Sequence, residues 1–146
     1  MLEGINPLLT GELLKHLDEM GHSDTAMIVD AHFPASRLAR RLVTMPGTSS
    51  PDVLAAVRSV LPLDDTPAVD LMTSADGSVL EVQEQLLAAA GVTAQDSRFV
   101  DRYAFYEAAD SAYVIVRTGE TRTYGCVIVR KGLVGTQNTA AQKEQS

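Results

Sequence analysis

Two groups of side chains in this sequence could move protons. The segments Met20-Gly-His-Ser-Asp24 and Asp30-Ala-His-Phe-Pro34 place His22, Asp24, Asp30 and His32 on either side of the apolar run Ala26-Met27-Ile28-Val29. Farther along lie Arg102, Tyr103, Tyr106, Glu107 and Tyr124, followed by the single cysteine, Cys126. Imidazoles and carboxylates are the usual general acids and bases near neutral pH. Arginine and tyrosine supply the hydrogen bonds that orient a polar ligand.

Other chemistries fit less well. His22, Asp24, Asp30 and His32 are the residue types that bind zinc or iron, but they lack the helical i, i+4 pair of ligands. The intervening strand would hold its ends roughly 17–20 Å apart. One ion could join them only if the flanks doubled back or a second subunit helped, so no metal is expected. A cysteine nucleophile needs a histidine beside it, and nothing in the sequence places His22 next to Cys126. Gly119 and Gly125 are too isolated to form a phosphate-binding loop.

These groups must be carried by ordered elements. Leu13, Leu14, Leu17 and Met20 recur at helical spacing after the candidate cap Thr10, predicting a helix over 10–20 that stops at Gly21 in a left-handed cap. Residues 25–30 read as a buried strand and Pro34 opens a short helical turn. A second strand is expected over 42–45, and a helix over 50–61 capped by Ser50. A strand over 68–73, a helix over 79–90 stopped by Gly91, a short strand at 99–100 and a helix over 103–110 follow. Strands at 112–117 and 124–130 flank the turn Thr118-Gly119-Glu120 and read as an antiparallel hairpin. In the second of these, Tyr124, Cys126 and Ile128 would share one face. Alternating helices and strands predict an α/β fold, a single domain whose mixed sheet is covered by helices. That domain is expected over 1–134, with a disordered polar tail over 135–146.

Composition narrows the partners. The chain has 146 residues, 45% of them hydrophobic, enough for one domain with a core. A net charge of −7 disfavours nucleic acid. No apolar run is long enough to span a membrane. The start, Met1-Leu-Glu-Gly, lacks the features of a signal peptide. One cysteine rules out an intrachain disulfide. Together these features make the cytoplasm the expected compartment.

Taken in order, Met20-Gly-His-Ser-Asp24, Asp30-Ala-His-Phe-Pro34, Arg102-Tyr-Ala-Phe-Tyr-Glu107, Thr118-Gly-Glu120 and Tyr124-Gly-Cys126 resemble the motifs of the L-fucose mutarotase and D-ribose pyranase family. The likeness runs from about residue 1 to 134, and the segment from Arg102 resembles the fucose branch. It implies an enzyme that interconverts anomers or ring forms of a free monosaccharide, with no cofactor. It also implies His22 as catalytic acid and Asp30 and Arg102 as sugar-binding residues. Tyr124 and position 126 would line the same pocket from a neighbouring subunit. The implied assembly is a homo-oligomeric ring, commonly a decamer with shared sites.

The sequence departs from the family pattern twice. Cys126 stands where the family has Asn, replacing an amide with a smaller, weaker hydrogen-bonding group. Ser23 stands where Gly is commoner, although Ser adopts a positive φ less readily. The reaction fits the residue types: opening a hemiacetal needs a proton delivered to the ring oxygen and one removed from the anomeric hydroxyl. A fucose mutarotase is the leading reading. A ribose pyranase and a non-catalytic sugar-binding protein are the alternatives.

Overall fold

The computed structural model describes residues 1–65 and 67–135. Thr66, and the polar tail from residue 136 onward, lie outside the described residues. All the expected helices and strands form, with ends shifted by a few residues. The helices are α1 (Gly11–Glu19), α2 (Ala35–Leu38), α3 (Ser50–Arg58), α4 (Glu81–Ala90) and α5 (Arg102–Ser111). The strands are β1 (Thr25–Val29), β2 (Leu42–Met45), β3 (Val69–Met72), β4 (Ser97–Val100), β5 (Val114–Thr118) and β6 (Val127–Arg130).

Burial of apolar side chains on both faces places β1 at the centre. Ala26, Met27, Ile28 and Val29 are all at most 1% exposed. A strand with no polar face can satisfy its backbone only between two others. The sheet order is β2-β5-β1-β6-β3-β4. β1 pairs in parallel with β5 and antiparallel with β6, while β3 pairs in parallel with β4 and antiparallel with β6. β2 is parallel to β5, so among the described residues five strands run one way and β6 alone runs against them.

The mixed sheet is as expected, but the terminal hairpin is not. β5 and β6 do not pair, because β1 lies between them. The connecting loop, residues 119–126, crosses the end of β1 and is tied to it. Thr118 Oγ1 donates to the Val29 carbonyl at 2.8 Å. The Ala31 amide donates to the Glu120 carbonyl at 2.8 Å. Crossing one strand requires a span of about 10 Å, which this loop covers easily.

Each sheet face buries its own cluster. Ile28, Val114, Val116, Val127 and Val129 pack with Leu13 and Leu17 of α1, Leu54 and Val57 of α3, and Leu86 of α4. Met27, Val29, Ile115 and Ile128 pack on the other face with Ala35 of α2 and Phe105 and Ala109 of α5. Fully burying such a side chain contributes about 1.5–3 kcal/mol. The result is a three-layer α/β/α domain.

Two expected helix ends differ. α3 is capped by Ser49, which accepts from the Asp52 amide at 3.2 Å, whereas Ser50 is already helical and buried. Gly91 closes α4 at φ 74°, as expected, but Gly21 is not left-handed. The end of α1 is closed instead by Lys131, whose Nζ donates to the carbonyls of Leu17, Asp18 and Met20 at 2.7, 3.1 and 2.7 Å. A cation there also meets the negative end of the helix dipole.

Candidate functional site

Open α/β sheets bind ligands beyond the carboxyl ends of their strands. That edge carries Asp30 after β1, Met72 ending β3, Arg102 after β4 and Cys126 preceding the reversed β6. A cavity of about 260 Å³ opens there, lined by Asp30, His32, Phe33, Met72, Arg102, Tyr106, Thr123, Tyr124 and Cys126. Its size suits a small ligand, being just below the roughly 300–1,000 Å³ typical of pockets for larger molecules.

Asp30 is the first polar residue after the apolar β1 and remains 94% buried, at 6% exposure. Its Oδ1 accepts from the amides of His32 and Phe33, both at 3.0 Å. This turns the chain back over the sheet. Phe33 then stacks edge-on against Phe105 and Tyr106, with ring centroids 6.0 and 5.2 Å apart. The Cys126 thiol donates to Asp30 Oδ2 at 3.4 Å. A carboxylate offers about four acceptor positions; three are taken, which leaves one for a ligand.

Burial, together with the Asp30 charge, pushes the Cys126 thiol well above its ordinary value. It is therefore held as a neutral thiol and is a poor nucleophile.

The opposite wall belongs to α5. Asp101 caps this helix by accepting from the Ala104 amide at 2.8 Å, which makes Arg102 its first residue. Tyr106 lies one turn further on the same side. Arg102 donates to the Tyr103 hydroxyl at 3.4 Å and its guanidinium lies 5.3 Å from that ring's centroid. Tyr103 itself is 70% exposed, and neither it nor Glu107 lines the cavity.

Tyr124 lines the cavity, but not as a strand residue. Its φ is 62° and β6 starts at Val127, so Tyr124 and Cys126 precede the strand, yet both pack in one cluster with Ile128, the shared face that was expected. A bulky residue at positive φ is held there only by its surroundings. The loop that holds it is anchored by Glu120, whose carboxylate accepts from Arg122 Nε at 3.0 Å, Nη2 at 2.9 Å and the Arg122 amide at 3.1 Å. The Arg122 guanidinium, with backbone amides, holds the Glu120 carboxyl down at about 2 despite its burial.

His22 lies elsewhere. It precedes β1, at the amino edge of the sheet, with five strand residues between it and Asp30. That separation is roughly 16–17 Å of strand. The side chain is 52% exposed, with Nε2 3.1 Å from Asp64 Oδ1. Ser23 adopts φ 70° after all, and its hydroxyl donates to Asp64 Oδ2 at 3.2 Å. The chain thus brings Asp30, Arg102, Tyr124 and Cys126 together and leaves His22 apart. The resemblance implied that Tyr124 and position 126 come from a neighbouring subunit. In the fold both line one cavity with Asp30 of their own chain, because the 119–126 loop crosses β1.

Sequence reasoning did not select Met72 or Thr123 for the site. Met72 reads as an ordinary apolar strand residue, and only the strand order puts its end at the cavity. Among the described residues, no three His, Cys, Asp or Glu side chains converge as a metal site, and no helix is long and apolar enough to cross a membrane.

Residues 3–134 match the model of a family described as the RbsD / FucU transport protein family. The crystal structure of protein Atu2016 is similar at 36% identity and a TM-score of 0.85, over 92% of this chain and 97% of that one. The fucose mutarotase of Streptococcus pneumoniae, solved in complex with L-fucose, is 30% identical, with a TM-score of 0.84 over 91% of this chain and 99% of its own. FucU from Bifidobacterium longum is 33% identical, with a TM-score of 0.79 over 90% and 99% of the two chains.

Proposed function

This chain belongs to the RbsD / FucU transport protein family, and on that premise we propose that it interconverts the α and β anomers of a free monosaccharide of the L-fucose type. The observation that carries the reading is the convergence of Asp30, Arg102, Tyr124 and Cys126 on one small cavity at the carboxyl edge of the sheet. A similar chain of known structure holds L-fucose.

The mechanism is acid–base opening of the hemiacetal. Arg102 and the free acceptor position on Asp30 orient hydroxyls by charge-assisted hydrogen bonds. Tyr124 supplies an aromatic wall and a hydroxyl. His22 delivers a proton to the ring oxygen as the bond from it to the anomeric carbon breaks. General acid–base catalysis typically contributes about 10²–10⁴-fold.

Because His22 is exposed at the amino edge, it acts in the cavity of a neighbouring copy. The working enzyme is therefore a homo-oligomer with shared sites, a ring such as a decamer. No cofactor takes part, and the proposed compartment is the cytoplasm.

Saturation-transfer NMR on free sugars tests this. Exchange between the α and β signals of L-fucose, accelerated by the protein, is the expected result. Exchange only between the pyranose and furanose forms of ribose would make it a pyranase. Perturbed signals without exchange would make it a sugar-binding protein.

A further inference from the structure

The cavity holds an imidazole of its own. His32 lines it beside Asp30, Arg102, Tyr106, Tyr124 and Cys126. We propose that His32 is the base of the reaction, taking the proton of the anomeric hydroxyl on its Nδ1 and returning it on closure. This rests on the mutarotase reading above.

Three observations support the assignment. First, the ring is set in one tautomer. His32 Nε2 lies 3.2 Å from the Thr121 carbonyl oxygen. A carbonyl only accepts, so Nε2 carries the proton and Nδ1 of the neutral ring holds the lone pair. No hydrogen bond involves Nδ1 among the described residues, so this basic nitrogen is unengaged.

Second, the backbone of His32 is fixed to the group that orients the sugar. Its amide donates to Asp30 Oδ1 at 3.0 Å. The base and the carboxylate therefore sit on one turn, and they move together if they move at all. Thr121 belongs to the same loop as Tyr124, so His32 is held by its own turn through the backbone and by that loop through the ring.

Third, the other ionisable groups of the cavity are unsuited. Asp30 has three of its acceptor positions filled. Cys126 is 1% exposed and kept protonated. Arg102 is a permanent cation, and the phenols of Tyr106 and Tyr124 are weak acids. Glu120 is committed to Arg122. Imidazole is the remaining side chain that both accepts and releases a proton near neutral pH.

The step balances without an added reagent. The anomeric O–H proton passes to His32 Nδ1, and the electrons of that O–H bond form the carbonyl. The bond between the anomeric carbon and the ring oxygen breaks, and its electron pair goes to the ring oxygen. That oxygen takes the proton from the acid assigned to His22. Rotation about the bond next to the carbonyl exposes its other face. Closure runs the same transfers backwards and restores both residues.

The test compares wild type with His32→Gln, whose amide can still donate to the Thr121 carbonyl. Anomer exchange is followed by saturation transfer across pH, and L-fucose affinity is measured alongside. The expected result is a fall in kcat of about 10²-fold with KM little changed, and loss of one limb of the pH profile. Long-range proton–nitrogen NMR of wild-type His32 gives a second reading that needs no variant. It should show the Nε2–H tautomer, with the Nδ1 signal displaced by L-fucose. A kcat close to wild type, a change in KM alone, or a ring protonated on Nδ1 would overturn the assignment of His32 and leave the mutarotase reading standing. A wild-type protein that exchanges no sugar defeats the mutarotase reading itself, and the assignment with it.

Discussion

Asp30 and Cys126 bind each other in both directions. The Asp30 amide donates to Cys126 Sγ at 3.4 Å, and the thiol donates back to Asp30 Oδ2 at the same distance. The pair joins the end of β1 to the start of β6. Its neutral sulfur stands where the resemblance implied an amide.

Cys126→Ala removes a buried donor and acceptor at once. The expected loss is about 1–3 kcal/mol of stability, read by urea denaturation. Cys126→Asn restores a stronger donor to Asp30 and should raise kcat/KM for L-fucose by up to about tenfold, one good hydrogen bond. Because the thiol is buried and held neutral, labelling of wild type by small thiol reagents should be slow with or without sugar. Rapid labelling would show that the Asp30–Cys126 pair is not closed in solution.

Glu120 ties folding to acidity. Its carboxyl titrates at about 2 when folded, against an ordinary value of 4.5. Above the unfolded value the group is ionised in both states and its stabilisation is fully present. As pH falls from 4.5 towards 2, the unfolded chain takes the proton first and that stabilisation is lost. The amount is at most about 3 kcal/mol, less solvent screening at the partly exposed Arg122. Urea midpoints should drop across this window in wild type and fall less steeply in Arg122→Gln. Parallel curves for the two proteins would refute the role of the pair.

His22 should be dispensable for folding and required for turnover. His22→Gln is expected to keep its oligomeric mass by light scattering and to lose catalysed anomer exchange. Arg102→Ala should lose it too, through the other half of the site. If the halves come from different chains, unfolding and reassembling a mixture of the two variants regains part of the activity. Mixtures as inactive as their components would place His22 outside the shared site.

Gly119 marks where the loop over β1 leaves no room. A Cβ there would lie 2.7 Å from the Gly47 backbone nitrogen and 3.2 Å from the Thr48 carbonyl oxygen. Gly119→Ala should destabilise by about 1–3 kcal/mol, as overpacking does, and displace Tyr124 with the loop. A thermal midpoint equal to wild type would show that the loop yields at no cost.

The elements were legible where a residue's local pattern decides its state. Leu42–Met45 forms a strand over the expected residues, and Gly91 closes α4. Asp30, Arg102, Tyr124 and Cys126 line one cavity of a single chain, where the resemblance had implied that the last two come from a neighbouring subunit. What local pattern cannot carry is partner choice. The apolar runs at 112–117 and 124–130 fit a hairpin equally well, and only the two-sided burial of β1 decides that it lies between them. The distance from His22 to Asp30 was readable from the strand between them, but the edge holding the cavity depends on strand direction. Lys131, the second of two adjacent cations at the end of a strand, gives no sign in the sequence that it closes α1.

β6 reaches from one edge of the domain to the other. Cys126 at its start grips Asp30, and Lys131 at its end holds α1 and, through its backbone, pairs with Ser23 and Asp24 beside His22. The strand therefore acts as a gauge whose length must match β1. Inserting or deleting a single residue between 126 and 131 could not be absorbed in a loop. It would release either the floor of the cavity or the segment that presents His22, so this short stretch should tolerate changes of side chain far better than changes of length.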